Sequence, residues 1–118
     1  MQSLYLSHNR LKTLPECLKQ VAQLTRLQVE DNQLTELPES LVQLQLITHL
    51  ILGDATYGNP LKHLPNCIRN MKALWSLQLS SCELITLPEW IGEVSNLNHI
   101  PVKDNKWHFS LRKKISLG

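Results

Sequence analysis

The chain has little aromatic content: one Phe, two Tyr and three Trp in 118 residues, or 5%. Its core must therefore be aliphatic, and Leu supplies most of the 42% apolar content. Only four glycines occur, and none forms a Gly-rich phosphate-binding loop. Three cysteines, an odd number with no C-x-x-C pair, exclude a disulfide scaffold and a cysteine-built zinc site and make a reducing compartment the default expectation. No apolar run reaches the roughly 18–20 residues that a membrane helix needs, and the first residues lack the basic start and apolar stretch of a secretory signal. A cytoplasmic location is expected. The net charge of +2 is too small to argue for nucleic acid as a partner.

Catalytic signatures are missing as well. No H-E-x-x-H, nucleophile elbow or EF-hand sequence occurs. His49 and His99 fall in equivalent outward positions two repeats apart, about 10 Å on strand spacing, so one zinc ion at about 2 Å cannot take both. Cys17 and Cys67 are likewise two repeats apart, beyond the roughly 7 Å that a disulfide spans. The sequence predicts no catalytic residues, no metal and no cofactor.

What the chain does have is a repeat. Leu24-x-x-Leu27-x-Val29-x-x-Asn32-x-Leu34-x-x-Leu37-Pro38-x-x-Leu41-x-x-Leu44 has a counterpart one period earlier in Leu4-x-Leu6-x-x-Asn9-x-Leu11-x-x-Leu14-Pro15-x-x-Leu18-x-x-Val21. It continues through Ile47, Leu50 and Leu52, slips by four residues, and resumes at Asn59-Pro60-Leu61-x-x-Leu64-Pro65-x-x-Ile68-x-x-Met71. A fourth copy runs from Leu74 through Cys82 and Leu87-Pro88 to Val94, and a partial fifth covers Leu97 to Trp107. Agreement at so many positions specifies a repeat architecture.

This pattern resembles the leucine-rich-repeat family, in its 23-residue form with a Leu-Pro dipeptide and a closing Leu-x-x-Leu. The resemblance covers roughly residues 1–107. It implies an α/β solenoid, with a curved parallel sheet on the concave side and short helices on the convex side. About five repeats are expected, near 1–23, 24–46, 47–73, 74–96 and 97–107, with a capping segment at 108–118. Similar repeats occur in Ras-pathway scaffolds, plant intracellular proteins and bacterial effectors delivered into host cells, so the resemblance implies protein binding and leaves the partner open.

The residues support that architecture on their own. Leu-x-Leu alternation is the period of a strand with one buried face, and successive strands would pair about 4.8 Å apart. The Asn after each strand can bond to neighbouring backbone, which predicts a structural ladder of Asn9, Asn32, Asn59, Cys82 and Asn105. In that ladder Cys82 stands in as a small buried group with a weak S–H donor. Each Pro suits the first position of a short helix. Helical segments are thus expected near residues 16–22, 39–45, 66–72 and 89–95.

Stacked strands turn their outward residues into columns: Ser3, Arg26, His49, Ser76, His99; then Tyr5, Gln28, Ile51, Gln78, Pro101; then Ser7, Glu30, Gly53, Ser80, Lys103; then His8, Asp31, Asp54, Ser81, Asp104. The face is polar with apolar anchors, a composition suited to protein recognition. Asp31, Asp54 and Asp104 argue against DNA or RNA at their rim. The candidate partner-binding residues are Tyr5, Arg26, Gln28, Glu30, His49, Ile51, Asp54 and Gln78, with Tyr57 in the four-residue insertion. Arg26 and Glu30 could instead form only a weak surface ion pair.

The expected function is a non-catalytic protein-interaction module that uses this face. Two alternatives stay open: the recognition part of a bacterial effector or of a larger enzyme, and a structural solenoid that self-associates through its N-terminal edge. At that edge the sequence reads equally as an imperfect first strand or as a chain whose upstream repeats are missing. At the other end, Trp107, Leu111 and Ile115 would share one helical face of the capping segment.

Overall fold

Each Leu-x-Leu alternation lies around a three-residue strand. The strands are β1 (Ser3–Tyr5), β2 (Arg26–Gln28), β3 (His49–Ile51) and β4 (Ser76–Gln78), in a parallel sheet of order β1-β2-β3-β4. The structure is a computed structural model that describes residues 2–15, 18 and 20–107. Cα partners run Ser3↔Arg26↔His49↔Ser76, so the first two steps are equal in length and the third is longer by the insertion. The interval between equivalent leucines becomes the strand register without a slip.

Among the described residues a fifth strand does not form. Ser76 and His99 make an isolated parallel bridge. The Leu77 and Leu79 amides still donate to the carbonyls of His99 and Pro101, each at 2.8 Å. Pro101 has no N–H to return to β4, and a ladder that can bond in one direction only stops there.

The Leu-Pro turns lead into 3-10 helices at Glu39–Gln43, Asn66–Asn70 and Glu89–Glu93. Each is preceded by a proline in extended conformation, with φ near −65° by its ring and ψ of 144°, 138° and 152° at Pro38, Pro65 and Pro88. The first expected helix, at 16–22, lies partly outside the described residues. These helices are shorter than expected and of 3-10 type, which suits the closing Leu-x-x-Leu. At three residues per turn, side chains three apart point the same way, so Leu41 and Leu44 both reach the core at 1% exposure. The Leu44 amide donates to the Leu41 carbonyl at 3.1 Å, and the chain then leaves helical geometry.

The core lies between the sheet and these helices. Leu24, Leu27, Leu50, Leu52, Leu74 and Leu77 are fully buried, each stabilising the fold by about 2 kcal/mol through removal of its side chain from water. Leu4, Leu6 and Leu11 are only partly buried, because β1 has a neighbour on one side alone. Trp107 closes the described end, packing on the core and donating its indole N–H to the Val102 carbonyl at 3.1 Å. The capping segment expected at 108–118, with Leu111 and Ile115, lies outside the described residues. Among the described residues, no helix is long and apolar enough to cross a membrane.

Candidate functional site: the outward face of the sheet

Strands of three residues cannot by themselves hold a chain on course, and asparagines do that work where the strands end. Asn32 donates from Nδ2 to the carbonyls of Leu6 and Val29, both at 2.9 Å, and its Oδ1 accepts from the Leu11 amide at 3.0 Å. Asn59 repeats the arrangement with Val29 and Leu52 as acceptors and the Leu34 amide as donor. Asn105 does so with Leu79 and Val102, and accepts from the amides of Cys82 and Leu84. Each side chain thus ties its own strand exit to the one before it. Asn9 is exposed and bonds only to the carbonyls of Leu6 and Ser7. Cys82 takes the same place with a thiol 3.4 Å from the Leu52 and Ser80 carbonyls. Having no amide oxygen, it leaves the Leu61 amide to backbone carbonyls, that of Asn59 at 2.8 Å and that of Cys82 at 3.1 Å. Burial pushes the Cys67 and Cys82 thiols up to about 11. Both stay protonated near neutral pH and are poor nucleophiles.

The register aligns the outward residues. One row places Arg26, His49 and Ser76 side by side between Ser3 and His99, and a second runs Tyr5↔Gln28↔Ile51↔Gln78. Tyr5 is the most exposed large hydrophobic side chain among the described residues, at 62%, whereas Arg26, Gln28, His49, Ile51 and Gln78 are half-buried. The Gln78 amide oxygen accepts from the Ser80 N–H at 3.0 Å, which orients it.

Glu30 sits in this face but is buried, at 4% exposure. Ser7 Oγ and Gln28 Nε2 both donate to its Oε1, the latter at 2.9 Å. Arg26 Nε in turn donates to Gln28 Oε1 at 3.2 Å. Arg26 and Glu30 therefore connect through Gln28 rather than as a direct ion pair. The relay fixes the side chains that a partner would meet, and an interface set in advance loses less entropy on binding.

Asp54 organises the insertion. Its Oδ1 accepts from the Thr56 and Tyr57 amides at 2.8 and 2.7 Å, and its own N–H donates to the Tyr57 carbonyl. The loop closes on itself and presents Tyr57 at 49% exposure. Tyr57 meets the His8 ring edge-on, with centroids 5.7 Å apart. His8 Nδ1 lies 2.8 Å from Asp31 Oδ2, and that hydrogen bond, helped by the negative field of Asp31, Glu30 and Asp54, raises the His8 pKa above its ordinary 6.5. His8, Asp31 and Ser81, after β1, β2 and β4, and Asp104 at the equivalent place in the fifth repeat share a left-handed backbone with φ near 60°, a conformation that Asn, Asp and His tolerate better than most residues.

Because the folded value is raised, the pair's contribution is complete below about pH 6.5 and fades as pH climbs through the folded value. In an NMR titration the His8 ring should titrate above 6.5 and return toward it in Asp31→Asn. A His8 midpoint unchanged by Asp31→Asn would disprove the coupling.

The residue that periodicity did not single out is Trp75. In the repeat it occupies a position otherwise filled by Gln2, Thr25, Thr48 and Asn98, and that break in a polar series was the available signal. Trp75 is 45% exposed and lies between His49, at a centroid distance of 5.7 Å and a tilt of 44°, and His99, at 6.0 Å and 25°. Thr48 Oγ1 holds His49 by Nδ1 at 2.9 Å, and Ser76 Oγ holds His99 by Nδ1 at 3.0 Å. The two histidines that sequence spacing kept apart as metal ligands thus flank one indole. Among the described residues no three His, Cys, Asp or Glu side chains come together in a way that could hold a metal ion.

A family model, Leucine Rich Repeat, matches residues 1–21. No curated protein gives a significant match.

Proposed function

The match over residues 1–21 supports assigning the chain to the leucine-rich-repeat family, and on that premise we propose that it is a non-catalytic protein-interaction module. In this reading the repeats near 1–23, 24–46, 47–73, 74–96 and 97–107 form one solenoid. The outward face of its sheet is the concave surface that meets a partner protein. The observation that carries the reading is the register: Arg26, His49, Gln28, Ile51 and Gln78 stand in two aligned rows, with Tyr5 and Trp75 exposed beside them. Aromatic and Arg anchors in a polar surround are the usual centres of binding energy. Glu30 acts from beneath by holding Gln28, and Asp54 by shaping the loop that offers Tyr57.

A matched pair of variants tests the face against the helical side. The wild-type chain serves as bait, the captured protein is identified, and its Kd is measured for Arg26→Glu with Ile51→Asp and for Arg69→Glu with Gln43→Lys. The exposed pair Arg69 and Gln43 should change stability by under about 0.5 kcal/mol; Arg26 and Ile51 are half-buried, so the melting temperature of their variant is measured first and binding is compared at a temperature where both variants are folded. The first should weaken binding by about a hundredfold or more, since losing central contacts removes several kcal/mol, and the second should bind as the parent does. Loss in the second variant alone would move the site to the helical side. Self-association is the other reading, because among the described residues β1 pairs with β2 alone. Sedimentation of the free chain as a monomer in the same experiment would remove it.

A further inference from the structure

Trp75 is an unusual residue to leave on a strand-entry edge, and its surroundings restrict what it can recognise. His49 lies beside it at a centroid distance of 5.7 Å and a tilt of 44°, and His99 stacks near it at 6.0 Å and 25°. The edge of an aromatic ring is its electropositive part. The Trp75 indole N–H, which lies in that edge, makes no hydrogen bond to a described residue, in contrast to the indole of Trp107.

The charge nearby is positive. Arg26 shares the row of His49, Ser76 and His99. Its Nε is held by Gln28, which leaves the terminal nitrogens of the guanidinium free to bind a carboxylate by two hydrogen bonds. Neither that row nor the row before it, which contains Thr48 and Trp75, includes a single carboxylate. The nearest acid along that strand, Glu30, is buried and meets Arg26 only through Gln28.

We propose that this edge, built from Arg26 and the His49–Trp75–His99 stack, binds an acidic segment of a partner protein. Carboxylates would accept from Trp75 Nε1–H and from the Arg26 guanidinium, and the hydroxyl-braced imidazoles would hold the indole upright. The proposal rests on the outward face being the docking surface and adds the chemistry of what docks there. From Arg26 to His99 the edge crosses three strand intervals, about 14 Å, which an extended segment of four to five residues covers.

The test uses the whole chain and a dye-labelled peptide of about six residues, rich in Glu with one Leu, read by fluorescence anisotropy. Its Lys-for-Glu twin and a single-stranded DNA oligonucleotide of similar charge are run beside it. The acidic peptide should bind and weaken as salt is raised. Arg26→Glu and Trp75→Ala should each weaken it by about tenfold, a loss typical of one good anchor, while Arg69→Glu leaves it unchanged. Melting temperatures are taken for all variants; should Trp75→Ala unfold, Arg26→Glu decides alone. Equal binding of the Lys peptide or the DNA, no acidic-peptide binding, or binding indifferent to Arg26→Glu would each overturn the proposal. If the acidic peptide fails while Arg26→Glu with Ile51→Asp still loses the captured partner, the face remains the docking surface and only the acidic chemistry is wrong.

Discussion

Gly53→Ala should lower the melting temperature by about 12 °C or more, the largest effect expected of any single methyl group in this chain. A Cβ at Gly53 would lie 1.8 Å from the Ser80 carbonyl oxygen and 2.9 Å from Cys82 Sγ. The first of these is backbone of the next unit, so no side-chain rotation relieves it, and the two units must separate where the sheet is closest packed. Overpacking a dense interior typically costs about 1–3 kcal/mol, more when backbone must move. At about 4 °C per kcal/mol for a chain of this size, about 3 kcal/mol gives the stated shift. Gly92→Ala is the internal control. Nothing lies within 4 Å of its Cβ position and its φ is not positive, so alanine should fit and raise stability by about 0.5 kcal/mol through a less flexible unfolded chain. Thermal melts of the two variants check both signs. A Gly53→Ala melt within about 2 °C of the parent, on the order of 0.5 kcal/mol, would show that the sheet has more slack than the 1.8 Å approach allows.

Asn59→Ala comes next, at roughly 3 kcal/mol. The side chain is 2% exposed and serves three groups: the Leu34 amide and the Val29 and Leu52 carbonyls. Alanine satisfies none of them, and water has little access to replace the amide. A buried group left without its partner costs about 1–3 kcal/mol, and carbonyls with a second lone pair already engaged lose less than the amide does. Asn9→Ala removes a chemically similar side chain from an exposed turn, where water takes over both bonds and the change should stay under about 0.5 kcal/mol. Urea midpoints at constant slope compare the pair. Equal midpoints for the two variants would mean that the strand exits are held by something other than the asparagine amides. Cys82 shows what the chain does when the amide is missing: backbone carbonyls accept the Leu61 N–H instead.

Much of this was legible in the residues before any fold was known. A constant interval between Leu-x-Leu pairs sets strand spacing, direction and register together, because a parallel sheet of stacked units has one offset and a slip of one residue would expose every core leucine. The insertion was legible for the same reason, as the one longer step. The positions of the asparagines followed from their place after each strand. Helix type did not, since Leu-x-x-Leu fits one face of an α-helix and of a 3-10 helix alike, and the short span from Pro38 to Leu44 decided it. Nor did the fate of the fifth strand, where the missing amide of Pro101 outweighed an otherwise matching repeat.

What only the tertiary structure decided is how the outward side chains meet one another. Column membership follows from register, but Glu30 is buried and Tyr5 is open although the columns treat them alike. Arg26 reaches Gln28 rather than Glu30, and Trp75 lies between two histidines that belong to other repeats. Register is set by backbone bonds and by the burial of leucines, both of which recur in every repeat and are therefore written locally. The contacts of the face depend on side-chain rotamers and on neighbours one or two repeats away in the chain, where a Thr hydroxyl or the absence of a Cβ shifts the outcome. No periodic term specifies them, so they exist only once the units have stacked.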